Sequence, residues 1–544
     1  MMCLQLPVLL LAALLLFSSC NKKEGTDFDG PKTKVRAVQS EKPTIKESEQ
    51  LAAQIESELI LFTQRIVSGN LPDSFSDNEN WSQLSNRFLN SSEQSRNVKV
   101  SVFEIRHERS TIQTVARMEM KARLNNQNYF GLITQFESTW SKNEDGQLKV
   151  LKIGDPEQTV LNESPVLWFR DETDRLTAKE PTFAEHLSRG LDFWLKRIES
   201  IHGIDAFINN GMALGDFDGD GRDDIYVCQP GGLPNRLFLH QADNTILEAP
   251  KKTGANYLDH TSAALFIDID NDGDQDLTLA TPSGIVLLEN DKHQSFIRRG
   301  ILQTDEVDCH SLSATDFDLD GNLDLLITFA LGSRSLDNNS SFRFDDARDG
   351  GSNQLFRGHG KWSFSEVTAL SGLSEGNDRH SLAASWHDYD LDGDPDLYIA
   401  NDYGQNQLYR NDVRDGSRLF SEIANEIGIE DRGAGMSVSW ADYNRDGLPD
   451  LYVGNMYSNA GKRITGLSGF MPKNKEELTK HYRRFAKGNT LFKQEKNGAF
   501  IDSGPATTMG RWAWSSVFAD LNNDGWEDLI VANGYISGPR PDDL

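Results

Sequence analysis

The chain has 544 residues, 38% hydrophobic and 25% charged, which gives length for two or three domains and apolar material for packed cores. Its formal net charge is −28, which excludes nucleic acid as a partner, because phosphates attract lysine and arginine. Of the 4 cysteines, only Cys228 and Cys309 lie in the part expected to fold, so the chain is no disulfide scaffold and has room for a single bridge.

Residues 4–17, LQLPVLLLAALLLF, form an apolar run as long as a secretory signal core and shorter than the roughly 20 residues that span a bilayer. Ser18 and Ser19 lead into Cys20 in a pattern that resembles a bacterial lipobox, which implies lipidation of Cys20. No Lys or Arg precedes the run, and Phe17 stands where Leu is usual. Residues 1–20 are therefore read as an export signal, and the folded part is expected outside the cytosol, secreted or lipid-anchored to the cell envelope. Contact with a membrane is expected only through that anchor or the N-terminal segment. Residues 21–43 are polar and aperiodic, a flexible tether.

From Thr44 to Val67 the residues Leu51, Ile55, Leu59, Phe62 and Ile66 recur at helical spacing. Four strand-like runs follow at 98–105, 112–124, 129–140 and 147–153, so residues 44–160 are expected to form a small α+β domain with one helix on an antiparallel sheet. Residues 161–204 are read as a helical linker: Pro181 opens a stripe of Phe183, Leu187, Leu191, Trp194, Leu195 and Ile198 that is expected to pack as core.

After residue 205 the chain repeats itself. The segments are DFDGDGRDDIYV, DIDNDGDQDLTL, DFDLDGNLDLLI, DYDLDGDPDLYI, DYNRDGLPDLYV and DLNNDGWEDLIV, starting at 216, 268, 316, 388, 442 and 520. A period of roughly 50 residues means stacked or radial repeats. Oxygen-bearing side chains stand at positions one, three, five and nine of each segment. They are Asp216, Asp218, Asp220 and Asp224; Asp268, Asp270, Asp272 and Asp276; and Asp316, Asp318, Asp320 and Asp324. The later segments supply Asp388, Asp390, Asp392 and Asp396; Asp442, Asn444, Asp446 and Asp450; and Asp520, Asn522, Asp524 and Asp528. Calcium takes six to eight oxygens, and short side chains on a curled loop converge on it, with glycine at position six permitting the turn. Without a cation, so many like charges within a few ångströms would repel and take up protons.

An EF-hand would need Glu at position twelve and then a helix. That position holds Val227, Leu279, Ile327, Ile399, Val453 and Val531, inside runs that read as strands, so each loop joins two strands. Downstream, NRLFLH, NQLFRG, NQLYRN and NTLFKQ begin further strands, giving about four strands per unit.

This order of loop, strand and NxLYxN resembles the FG-GAP or VCBS repeat of integrin α-subunit propellers and bacterial surface proteins. Its wording looks closest to bacterial relatives of cartilage acidic protein, which carry a C-terminal ASPIC/UnbV domain. The resemblance covers residues 205–544, without an ASPIC/UnbV segment. It implies a mainly β fold, a β-propeller typically of seven blades, with Ca2+ held by positions one, three, five and nine and by the backbone carbonyl of position seven. Asn444 and Asn522 lower the charge of their loops, so weaker binding is expected there.

No GxSxG, HExxH or phosphate-binding glycine loop occurs. The expected function is therefore a non-enzymatic adhesion or interaction module for a surface protein or polysaccharide. The alternative is a polysaccharide hydrolase or lyase using His260, His310 and His380, which recur ahead of three loops. The insert at 471–489, with Lys480, His481, Arg483 and Arg484, is the basic stretch of an acidic domain and a candidate surface for an anion.

Overall fold

The computed structural model describes residues 44–534, apart from 69–78, 90–96, most of 190–210, 331–345 and some shorter gaps. The export signal, Cys20 and the tether lie outside the described residues. Among the described residues no helix is long and apolar enough to cross a membrane.

The N-terminal helix α1 (Ile45–Ser68) starts on a capping box: Glu47 N–H donates to Thr44 Oγ1 at 3.2 Å, and Thr44 N–H to Glu47 Oε2 at 2.7 Å. Its whole apolar stripe is buried, with Ile55, Leu59 and Ile66 at 0% exposure. A second helix, α2 (Glu79–Leu89), corrects the one-helix expectation. It buries Trp81 and Leu84, and Trp81 Nε1–H donates to Gly154 O at 2.8 Å. The sheet runs β1 (Asn97–His107), β2 (Ile112–Arg123), β3 (Tyr129–Lys142) and β4 (Leu148–Ile153). An unexpected strand, β5 (Glu157–Ser164), carries the sheet past residue 160. β4 and β5 share one edge of β3, the first along Ser138–Lys142 and the second along Tyr129–Gln135, with the break between them at Gly154.

The expected core helix after Pro181 is also corrected. Its described part is a π-turn, Phe183–Leu187, with no buried residue, and most of the stripe beyond it lies outside the described residues. Ordering a helix needs a partner surface for its stripe, and Phe183 and Leu187 find only half of one.

The rest of the chain is a succession of antiparallel sheets. The first holds β6 (Met212–Gly215), β7 (Asp224–Val227), β8 (Arg236–His240) and β9 (Ile246–Glu248). The second holds β10 (Ala263–Ile267), β11 (Asp276–Thr281), β12 (Gly284–Asn290) and β13 (Phe296–Leu302). The third comprises β14 (Cys309–Thr315), β15 (Asp324–Phe329), β16 (Gln354–Gly358) and β17 (Phe364–Glu366). The fourth comprises β18 (His380–His387), β19 (Asp396–Asp402), β20 (Gln407–Arg414) and β21 (Ser417–Glu422). The fifth has β22 (Gly435–Ala441), β23 (Asp450–Asn455), β24 (Thr490–Gln494) and β25 (Phe500–Asp502), and the sixth has β26 (Ala513–Ala519) and β27 (Asp528–Asn533). First strands of successive sheets pack side by side, from β6 through β10, β14, β18 and β22 to β26, a propeller-like arrangement with the apolar cores between neighbouring sheets.

The first residue of each NxL motif locks this arrangement. Asn235, Asn353, Asn406 and Asn489 are buried, and the Oδ1 of each accepts from the backbone N–H of Gln229, Phe329, Asn401 and Asn455 respectively, at 2.7 to 3.0 Å. Asn353 also donates from Nδ2 to Ser381 Oγ of the next sheet, at 2.9 Å.

Between β23 and β24 the chain leaves the fifth sheet and returns through α3 (Asn459–Gly466) and α4 (Glu476–Phe485). This insert reaches the N-terminal domain. Arg463 pairs with Glu49 of α1 and donates to Val102 O of β1, while Lys462 lies over the Phe103 ring at 4.5 Å. Both arginines at the end of the basic insert have partners: Arg484 pairs with buried Asp431, and exposed Arg483 donates to Thr465 O at 3.2 Å.

Candidate metal centres

Each acidic loop connects the first two strands of a sheet, and its geometry is set by its own backbone. In the second loop, Asp268 Oδ1 accepts from Asp272 N–H at 3.1 Å and Oδ2 from Gly273 N–H at 3.0 Å. The same pair of bonds recurs on Asp216, Asp316, Asp388, Asp442 and Asp520. Position one thus ties the loop into a curl. The glycine at position six is left-handed in every loop, at φ 97° for Gly393.

Position four is left-handed as well, and sequence reading missed it. Asn271, Leu319, Leu391, Arg445 and Asn523 all have φ between 56° and 61°. A side chain with a Cβ pays roughly 1 kcal/mol for that conformation. Leu391 is 59% exposed, so little packing offsets the cost. Replacing Leu391 with Gly is expected to leave stability unchanged or raise it by up to about 1 kcal/mol, read by urea unfolding; a loss above about 1 kcal/mol would contradict a strained loop.

Position nine faces inward. Asp396 is 1% exposed; its Oδ2 accepts from Tyr389 N–H at 3.2 Å and its Oδ1 from Asn411 N–H of β20 at 2.8 Å. Asp224, Asp276 and Asp324 make the same two bonds. Burial is the main cause that pushes these carboxyls up, to about 6 at Asp224, about 7 at Asp276 and Asp324 and about 8 at Asp396; the neighbouring loop carboxylates add to it. Asp450 is likewise pushed to about 6.

The loops are also tied from sheet to sheet. Asn290 of β12 donates to Phe217 O in the first loop at 2.9 Å, Asn411 of β20 to Phe317 O in the third at 2.8 Å, and Gln494 of β24 to Tyr389 O in the fourth at 3.1 Å.

Carboxylate oxygens converge within 4.8 Å in four places: Asp216, Asp218 and Asp224; Asp268, Asp270 and Asp276; Asp316, Asp318 and Asp320; and Asp388, Asp390 and Asp396. No such acidic triad occurs among the described residues at 442–450 or 520–528, where Asn444 and Asn522 stand at position three. The sixth loop is also exposed from Leu521 to Glu527. At position three the Oδ1 atoms of Asp218, Asp270, Asp318 and Asn444 are buried without a hydrogen-bond partner. An oxygen that is buried and unpaired costs about 1–3 kcal/mol, and a cation among all-oxygen donors removes that cost, so the residues fit calcium. Position seven, expected to act through its carbonyl, carries buried aspartates in two loops, Asp274 and Asp394.

The histidines are dispersed. His380 is 3% exposed and its Nε2 lies 3.0 Å from Asp349. His310 is half-buried, and burial pulls its imidazole down to about 4. His260 sits in the loop ahead of β10. Among the described residues no histidine joins an acidic or cysteine cluster. Cys228 and Cys309 are buried free thiols, and burial raises the Cys228 thiol to about 12.

The FG-GAP-like repeat matches residues 216–279, 268–327, 388–453 and 482–531, so the chain carries four FG-GAP-like repeats spanning the acidic loops. No curated protein is similar at a significant level. Among solved structures, an Agrocybe aegerita lectin that recognises non-reducing terminal N-acetylglucosamine matches at 15% identity and a TM-score of 0.37, over 60% of this chain and 75% of that one. The Pseudomonas aeruginosa periplasmic gluconolactonase PpgL matches at 11% identity and a TM-score of 0.30, over 75% of this chain and 95% of that one.

Proposed function

We propose that this chain is an extracytoplasmic calcium-binding β-propeller of seven blades, related to the bacterial relatives of cartilage acidic protein. It acts as an adhesion or interaction module for a surface protein or polysaccharide. The observation that carries the reading is the recurrence of carboxylate triads within 4.8 Å, in three of which, at Asp218, Asp270 and Asp318, the third-position oxygen is buried and unpaired.

The bound ion supplies positive charge and coordination to oxygens that otherwise repel. The chain's own residues do the rest. Position one curls the loop, position nine pins it to the third strand, and position three brings an oxygen into each converging group. Rigid loops on a sheet scaffold are suited to binding a partner without reorganising.

A hydrolase or lyase working through His310 and His380 has less support, since His380 is nearly inaccessible and already engaged with Asp349. The test is binding of the whole chain to envelope polysaccharide fractions and to intact cells, in calcium and in chelator, beside a reducing-end assay on the same fractions. Calcium-dependent retention without new reducing ends is expected. Equal retention in chelator would overturn the calcium part. Turnover abolished by His380→Ala at unchanged calcium content would favour the enzyme.

A further inference from the structure

The six loops differ in how much of their charge is already answered. In the first, Arg222 pairs with Asp220. In the third, Arg357 Nη2 lies 2.6 Å from Asp318 and 2.8 Å from Asp320, across two of the three converging carboxylates. In the fourth, Arg418 pairs with Asp394, and in the fifth, Lys493 lies 3.6 Å from Asp446.

The second loop has five aspartates, Asp268, Asp270, Asp272, Asp274 and Asp276, and among the described residues none is in an ion pair with a lysine or arginine. Asp274 is 7% exposed, and its Oδ1 is buried without a hydrogen-bond partner. Asp272 Oδ1 accepts from Asp274 N–H at 3.1 Å, which holds the two residues together in the curl. The buried, unpaired oxygen of Asp274 lies two residues from Asp272 and Asp276, in the same curled loop. Asp394 holds the same position in the fourth loop, but Arg418 neutralises it. Affinity for calcium in such loops rises with the number of charged ligands and with the rigidity of the site. The second loop is favoured on both counts, because Asp274 and Asp276 are both buried.

Resting on the calcium reading above, we propose that the second loop is the tightest calcium site of the chain and that the Asp274 carboxylate is an added oxygen donor to the ion. Position seven then acts here through its side chain. In the third loop Arg357 stands in for part of the ion's charge, so that loop fills later.

Trp362 gives the site a local reporter, because its Nε1–H donates to Asp270 Oδ2 at 2.9 Å. The experiment titrates the whole chain with terbium under tryptophan excitation, and with calcium against a chromophoric chelator. Asp274→Asn is expected to weaken the first-filled class by about tenfold or more, and Asp394→Asn to leave that class unchanged. Trp362→Phe, which keeps all five carboxylates, is expected to remove most of the sensitised emission of the first equivalent. An unchanged first class in Asp274→Asn, or undiminished first-equivalent emission in Trp362→Phe, would overturn the assignment while leaving calcium binding intact. Wild-type protein that takes up no calcium at millimolar supply would overturn the calcium reading itself, and this assignment with it.

Discussion

Melting temperature measured against pH is expected to follow opposite slopes with and without calcium. In chelator the protein should lose stability as pH rises from about 5 to 8. The position-nine carboxyls have folded values pushed up, to about 6 at Asp224, about 7 at Asp276 and Asp324 and about 8 at Asp396, above the usual aspartate value of about 3.9. A group raised in the folded state contributes stability that is complete below its unfolded value and is lost as pH climbs through its folded value. With calcium the ordering reverses, since the ion favours the ionised form and binds better as the protons leave. At a hundredfold excess over the dissociation constant each filled site adds about 2.7 kcal/mol. Several filled sites should then separate the two curves at pH 8 by on the order of 10 °C, and by little at pH 4. Differential scanning fluorimetry across that range reads the result, and parallel curves would refute filled acidic loops.

Two aspartates of the fourth loop, Asp392 and Asp396, should behave quite differently when replaced. Asp396→Ala removes the acceptor for Tyr389 N–H and Asn411 N–H, leaving two buried donors unpaired and releasing the third strand of the sheet from its loop. A loss of about 3–5 kcal/mol is expected, and in chelator as well as in calcium. Asp392→Ala, at exposed position five, should change stability by less than about 1 kcal/mol in chelator and forfeit only the part that calcium adds. Urea unfolding of both variants under both conditions separates the two roles. Equal losses in chelator would show that position nine is no more than another ligand.

What could be read from residues alone follows the range of the interactions involved. Helix α1 was legible because its stripe repeats through Leu51, Ile55, Leu59, Phe62 and Ile66, and the acidic loops were legible because their oxygens lie within nine residues of one another. Helix α2 was missed because it is short; among its described side chains Trp81, Leu84 and Ser85 turn inward. β5 was missed because its run is mostly polar and its identity comes from pairing with β3. The stripe after Pro181 promised a helix that, over Phe183–Leu187, winds as a π-turn, since periodicity carries no information about the surface it is to meet. Of the basic stretch at 471–489, Arg484 turns to an internal pair that the stretch itself does not announce, because its partner, Asp431, stands 53 residues earlier. Similarly, only the fold reveals that the asparagine of each NxL motif is a lock and that Asp274 is buried.

The amide bonds from Asn290 to Phe217 O, from Asn411 to Phe317 O and from Gln494 to Tyr389 O have a mechanical consequence. Each fastens a loop to a strand of another sheet, so a tug on one turn of the rim is passed along rather than absorbed where it is applied. A pull on one loop would therefore spread over several sheets, and would meet least resistance at the sixth loop, which lies open to solvent from Leu521 to Glu527.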